Sequence, residues 1–256
     1  MFEVNSISII GCGGNGSILA EALMSYLKGK QEDRDFSYPY IWFMDGDIVE
    51  EKNIRRQNFT IKDLGFYKCD VLRRRLGLEY NVYNLVGHIP FFLTDTGLSS
   101  QRVYNQNNQA IFLCVDNVEA RLLVWKHLKD DKNVRNFIMF DLGNSDYYGQ
   151  VTTYYQEYIR TVDKYLTLGA DPRERYPNYS RPQERVVGCA DRAAEVPQTI
   201  TANYLTATYA LNNFIQFMEK KTFYGSIEWA TKEGMFATEA DGLCNIEEAK
   251  ELLTIP

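Results

Sequence analysis

The chain is poor in the residues that staple or metallate a protein. Its 256 residues hold five cysteines and two histidines. Cys12, Cys69, Cys114, Cys189 and Cys244 are odd in number and scattered, and no two form a Cys-x-x-Cys pair. That argues against a disulfide framework and against a thiolate zinc site. His88 and His127 are isolated and read as structural or surface residues. No apolar run approaches the roughly 18–20 residues of a membrane span. No charged n-region or cleavage site precedes the first apolar segment, so a cytosolic protein is expected. Positive charge is in deficit, 28 basic against 34 acidic residues, for a net charge of −6. That disfavours generic nucleic-acid binding while leaving room for a local basic patch. There is no internal repeat and no low-complexity tract. What remains is ordinary for a soluble globular chain, 45% apolar and 24% charged. The length suits one large α/β domain, or a domain with an appendage.

The stretch SISIIGCGGNGS, residues 6–17, organises the rest. The apolar run Ile7–Ile10 ends in Gly11, Cys12, Gly13, Gly14, Asn15, Gly16 and Ser17, and a helical pattern begins at Ile18. Strand, glycine turn and helix in that order place amide N–H groups and the positive helix end around an anion. Glycines there can adopt positive φ and let a phosphate approach the backbone. Asp45 closes a second apolar strand, 40–44, where a ribose hydroxyl is gripped in open parallel sheets. Gly16 and Asp45 stand further apart than the about 20 residues of the usual dinucleotide fingerprint. The polar stretch 29–38 reads as a surface insertion and accounts for the excess.

Further on, Asp47 opens a polar segment that contains Asn53, Arg55, Arg56 and Gln57. Amides and planar guanidinium forks suit phosphate; a solvated loop is the plainer alternative. Lys68 opens a helix over 68–78, where a cation is unfavourable unless an anion offsets it. Strands are expected at 82–86, 110–115 and 137–140, and a helix at 98–104. Asp116 and Asn117 end the 110–115 strand, with Arg121 on the first turns of the next helix. Asp116 suits a hydrated Mg²⁺ held with phosphates, or an N-cap, or both. The alternating stretch 148–155 turns the sheet antiparallel. Residues 161–185, rich in Asp, Pro, Arg and Tyr, read as a long crossover. A strong helix over 199–219 follows, with Tyr204, Leu205, Tyr209, Leu211, Phe214 and Phe217 as its core face. A terminal hairpin at 223–238 and a short helix at 246–253 complete the chain. The fold class is therefore α/β: a Rossmann-like, doubly wound, mostly parallel sheet that continues into antiparallel strands.

GCGGNGS, MDGDIVEEKNIRRQNF, LGFYKCDVL, FLCVDNVEAR and GNSDYYGQV, taken in this order, resemble the adenylating domain of the ThiF/MoeB/ubiquitin-activating-enzyme superfamily. The likeness covers roughly residues 6–152 and, more loosely, 185–256. It implies a single adenylation domain over 1–256: a nucleotide-binding core at 1–152, a crossover loop at 153–198, and a C-terminal helix and hairpin at 199–256. It also implies that ATP, with Mg²⁺, activates the C-terminal carboxylate of a ubiquitin-like or sulfur-carrier protein with a Gly-Gly-type tail. Carried over by position, ATP contacts fall to Gly11, Gly13, Gly14, Gly16, Asp45, Asp47, Asn53, Arg56, Gln57, Lys68, Asp116 and Asn117. Arg56, Lys68 and Asp116 would assist the reaction, Asp116 through Mg²⁺ or its waters. Cys189, ahead of a helix and near Arg185 and Arg192, is the candidate to take the acyl group; an incidental loop cysteine is the alternative. Cys12, Cys69, Cys114 and Cys244 read as packing residues.

The chain departs from the superfamily pattern in two ways. The zinc-binding Cys-x-x-Cys pairs of many members are missing, so no zinc is expected. The helix that in many members precedes the first strand, and gives an arginine to the partner subunit's ATP, has no counterpart. Either that arginine is missing or Arg55 or another takes its place. The chain resembles compact stand-alone bacterial or phage ThiF-type proteins, including those of plasmid-borne PRTRC gene sets. A homodimer is implied by this analogy. Two other readings keep the fold: a carboxylate-activating enzyme akin to the threonylcarbamoyladenosine tRNA dehydratases, or a non-catalytic nucleotide-binding scaffold. The acidic balance weighs against the first and the intact polar set against the second. A Rossmann oxidoreductase does not suit Arg56, Gln57 and Lys68.

Overall fold

The computed structural model describes residues 2–33, 36–54, 56–90, 107–131, 133–169, 171, 200–232 and 235–254. Its strands are β1 (Ser6–Ile10), β2 (Tyr40–Met44), β3 (Val86–Ile89), β4 (Gln109–Leu113), β5 (Phe137–Asn144), β6 (Tyr148–Ile159), β7 (Lys164–Gly169), β8 (Thr222–Lys232) and β9 (Met235–Asn245). Its helices are α1 (Gly14–Lys30), α2 (Glu51–Ile54), α3 (Lys68–Glu79), α4 (Val118–Asp130), α5 (Ile200–Lys220) and α6 (Ile246–Thr254). The strands form one sheet in the order β3-β2-β1-β4-β5-β6-β8-β9, with β7 also paired to β6. The first five are parallel, and every pairing from β5–β6 onward is antiparallel.

Strand composition follows from this layering. In β1 all five residues are buried, because helices cover both faces of the parallel half. Ile7 and Ile9 enter the larger core with Leu19, Leu23, Phe112 and Phe214, whereas Ile10 joins Leu113, Trp125 and Phe137 on the other face. In register, Ile10 lies beside Met44 and Leu113, and Leu113 beside Asp141. The carboxyl ends of β1, β2, β4 and β5 therefore sit side by side. The chain runs from β1 outward to β2 and β3, then returns to β4 on the other flank of β1. That reversal is the switch point at which open α/β sheets bind ligands.

Several expectations are corrected in detail. Helix α1 starts at Gly14 rather than Ile18 and runs to Lys30, into the segment read as an insertion. The third strand lies at Val86–Ile89, after a one-turn helix at Tyr83–Leu85. The expected crossover carries the end of β6 and all of β7 before residue 170. The helix expected at 98–104 lies outside the described residues. The core face of α5 is also different: Tyr204 is exposed, and the buried positions are Ala202, Asn203, Thr206, Ala207, Ala210, Asn213, Phe214 and Phe217. Polar side chains occupy core positions there because each is hydrogen-bonded. Asn213 donates to Thr153 Oγ1 and to the Tyr224 carbonyl, and accepts from the Tyr224 N–H, all at 2.8 Å. Asn213→Ala orphans buried groups on β6 and β8, so it is expected to cost about 2–4 kcal/mol, read from urea unfolding. A loss below about 0.5 kcal/mol would contradict this account.

Among the described residues, no helix is long and apolar enough to cross a membrane.

Candidate functional site

A cleft of about 1240 Å³ opens at the switch point. Gly11, Gly13, Gly14, Asp45, Asp47, Asn53, Arg56, Gln57, Lys68, Asp116 and Asn117 line it. Gly16 is the exception among the residues singled out from sequence. It is buried, and a Cβ there would lie 1.9 Å from the Gly11 carbonyl oxygen. The glycine turn thus works differently from expectation. Only Gly11 has positive φ, at +89°, and a Cβ on it would strike the backbone of Cys114. Gly14 is bare for packing too: a Cβ there would meet Asn203 Nδ2 at 2.5 Å. The anion-attracting feature is the start of α1 itself. Gly13 caps it without a side-chain hydrogen bond, and no acidic residue stands in its first turn. Its first amides are therefore left to a ligand or solvent.

Asp45 is fixed from two sides. Its carboxylate accepts the Cys12 N–H at 2.6 Å and the Asp47 N–H at 2.8 Å. Burial pushes its pKa up, opposed by the Lys68 ammonium and by those N–H groups. Lys68 is the first residue of α3 and only 7% exposed at its side chain. The anion that offsets it is Asp47, 2.8 Å away and itself half exposed. Asn53 is buried and accepts the Glu50 N–H through Oδ1. The amides of Arg56 and Gln57 both bond the Asn53 carbonyl, so the segment after α2 curls back over the cleft. Gln57 Oε1 is buried with no partner among the described residues, and Gln57 Nε2 lies 3.7 Å from where a Gly13 Cβ would stand. Arg55 and Cys189 lie outside the described residues.

At the tip of β4 the capping expectation moves by one residue. Asn117, not Asp116, caps α4: its Oδ1 accepts the Ala120 N–H at 2.7 Å, and its Nδ2 donates to Asp116 Oδ1 at 3.4 Å. Asp116 is left exposed at the rim. Among the described residues no group of three or more His, Cys, Asp or Glu could hold a metal ion. A lone carboxylate there suits a hydrated Mg²⁺ that takes its other ligands from phosphates and water. The helix start, open on its side-chain side, and the cations Arg56 and Lys68 likewise fit a polyphosphate.

Two features of the cleft were not anticipated. The Arg121 guanidinium, 7% exposed as a residue, pairs with Asp141 and also donates to the Val115 and Leu142 carbonyls. It ties the tips of β4 and β5 together. Asn15, Asn144 and Asn203 form a row of carboxamides along the wall. For Asn203 a signal existed: it falls on the 3–4 spacing shared by Thr206, Ala207, Ala210 and Asn213. For Asn144 the signal was its place in the motif GNSDYYGQV, residues 143–151.

Three thiols near the cleft, Cys12 and Cys69 buried and Cys114 half-buried, are poorly placed to ionise. Burial pushes Cys69 and Cys114 up to about 12, and raises Cys12 well above the ordinary thiol, with the Asp45 carboxylate adding to the effect. At a pKa of about 12, roughly one thiol in 10⁴ is ionised at pH 8. Iodoacetamide at pH 8, mapped by peptide mass, is expected to leave these three unlabelled in the native protein and to label them in urea. Rapid native labelling of any of them would overturn this. The linkage has a definite sign. The folded chain keeps protons that the unfolded chain begins to release near pH 9. Their stabilisation is full below pH 9 and is lost as pH rises toward about 12.

Comparison with known proteins places this arrangement. The model of the ThiF family matches residues 2–221. Ubiquitin-like modifier-activating enzyme 5 of Drosophila melanogaster is 28% identical over 231 residues, which make up 86% of this chain and 52% of that protein. The Drosophila sechellia protein of the same name gives the same figures. The chain thus spans about half the length of the curated relatives it matches. Among solved structures, E. coli MccB with ATP aligns at a TM-score of 0.60 and 18% identity, over 93% of this chain and 64% of that one. PaaA aligns at 0.57 and 14%, over 92% and 64%. At such identities the structural likeness establishes the fold alone.

Proposed function

We propose that this chain, which belongs to the ThiF family, adenylates the C-terminal carboxylate of a ubiquitin-like or sulfur-carrier protein with a Gly-Gly-type tail and then takes the acyl group on Cys189. The observation that carries the reading is convergence. Asn53, Arg56, Gln57 and Lys68, with the start of α1 and the tip of β4, line one cleft at the switch point. The name of the Drosophila relatives and the ATP held by a protein of the same fold add support.

ATP, when bound, supplies an electrophilic α-phosphorus and pyrophosphate as leaving group. The chain's own residues do the rest. Asp45, held by two backbone N–H groups, presents its carboxylate to the ribose hydroxyls. Arg56, Lys68, Asn53 and Gln57 neutralise and orient the phosphates. A substrate carboxylate and a polyphosphate repel each other, so fixed cations must be in place before they meet. Asp116 would be the residue to hold Mg²⁺, which would supply charge neutralisation, and Asn117 donates to the Asp116 carboxylate and steadies it. Cys189 is the chosen nucleophile for the second step: its thiolate would attack the activated acyl carbon to form a thioester while the C–O bond to phosphate breaks and AMP leaves, whereas Cys12, Cys69 and Cys114 are held protonated. The protein works as a cytoplasmic homodimer in this reading.

The test is exchange of labelled pyrophosphate into ATP, with Mg²⁺ and candidate Gly-Gly-tailed proteins, followed by intact-mass analysis. Carrier-dependent exchange, with a thiol-labile adduct that disappears in Cys189→Ala while exchange persists, is the expected result. No ATP binding and no exchange with any such partner would sink the proposal.

A further inference from the structure

We infer that Asn15, Asn144 and Asn203 form a positioning relay that holds the Arg56 loop and the glycine turn in register for the triphosphate; this rests on reading the cleft as an ATP site. The three side chains come from three separate elements: the first turn of α1, the end of β5 and the first turn of α5. Asn15 Nδ2 donates to Asn144 Oδ1 at 2.9 Å, and Asn144 Nδ2 donates to Asn203 Oδ1 at 2.9 Å. Asn203 Nδ2 then donates to the Arg56 carbonyl at 3.2 Å. Asn15 and Asn203 are buried, and all three line the cleft.

The direction of the row follows from its end. A backbone carbonyl only accepts, so Asn203 must turn its NH₂ toward Arg56 and its oxygen toward Asn144. Asn144 must then turn its own NH₂ toward Asn203 and its oxygen toward Asn15. Every carboxamide is thereby set by the position of one peptide group in the phosphate loop. The far end is Asn15 Oδ1, buried with no partner among the described residues. Asn203 has a second hold on the site, since it packs where a side chain on Gly14 would stand. One side chain of α5 therefore contacts both the glycine turn and the loop that carries Arg56. A buried polar row of this kind is expensive to break, because each group left behind loses its only affordable environment.

If the row positions Arg56, breaking it anywhere should weaken nucleotide binding more than acceptor binding. If it only packs, stability should fall while affinity for ATP is kept. The experiment measures the Kd for Mg·ATP by calorimetry and the KM for the acceptor by pyrophosphate exchange. Wild type, Asn203→Ala, Asn144→Ala and the double variant are compared, with Tm recorded for each. Each single variant is expected to weaken ATP about tenfold, as loss of a buried hydrogen bond does. The double variant should lose little more than either single one, since the row is already open. The acceptor KM should stay within about twofold, because the row faces the phosphate loop. If Asn203→Ala does not fold, the half-buried Asn144→Ala and Asn144→Ser carry the comparison. Single variants that bind ATP like wild type, or losses that simply multiply in the double variant, overturn the relay while leaving the ATP reading intact. Wild-type protein that binds no ATP overturns both.

Discussion

Replacing Lys68 with methionine is expected to cut carrier-dependent pyrophosphate exchange by about 10²–10³-fold, or about 2.7–4 kcal/mol of transition-state stabilisation. The size follows from where the lysine stands. Its side chain is 7% exposed, its ammonium meets Asp47 at 2.8 Å, and it opens α3, where the helix dipole is unfavourable to a cation. A buried charge at such a position is costly, and a half-exposed Asp47 offsets it only in part. A phosphate arriving in the cleft offers a stronger partner. Methionine preserves the stem and its packing and deletes the charge, so Tm should change little. Asp47→Asn is the companion variant. It removes the lysine's partner in the free protein and leaves the ammonium, so its effect on exchange should be much smaller. Exchange by Lys68→Met within about threefold of wild type would remove Lys68 from the chemistry. A large fall in Tm alongside lost exchange would instead make it a structural residue.

The largest effect on folding is expected from Arg121→Met, at about 3–5 kcal/mol, read from urea unfolding curves. Asp141 is 2% exposed and Arg121 7%. Taking the guanidinium away leaves a carboxylate in the core between β4 and β5. It also strips a donor from the Val115 and Leu142 carbonyls, which precede Asp116 and Gly143 in the chain. The double variant Arg121→Met with Asp141→Leu should recover the larger part of the loss. Two apolar side chains leave no buried charge, and replacing a buried pair in this way is often close to neutral. Recovery should not be complete, because the two carbonyls still lack their donor. A single-variant loss below about 1 kcal/mol would mean that the pair holds nothing together.

Much of this architecture was legible in the residues alone, because it depends on local order along the chain. An apolar run, a glycine turn and a helical pattern specify a parallel strand and its crossover wherever they occur. Gly11, Asp45 and Asp116 were legible because each follows closely on a strand, and strand tips in a parallel sheet must gather on one side, whereas Asn53, Arg56, Gln57 and Lys68 came from the motifs shared with the superfamily. The alternation at 148–155 announced the change to antiparallel pairing for the same reason: period two is a property of the chain itself.

Contacts between distant segments decided the rest. Gly14 and Gly16 look like phosphate glycines in one dimension, but Asn203 and the Gly11 carbonyl are what leave them no room for a side chain. Asn203, Thr206 and Asn213 look like the polar face of a helix, yet they are buried, since Asn144, Trp229 and Thr153 on other elements hydrogen-bond them. Lys68 reads as waiting for an anion, and Asp47 already supplies one. Amino-acid order by itself determined which elements form and which side chains gather at the strand tips. Only tertiary structure decided which buried polar groups are paired, because the worth of such a group depends on what stands within 3 Å of it.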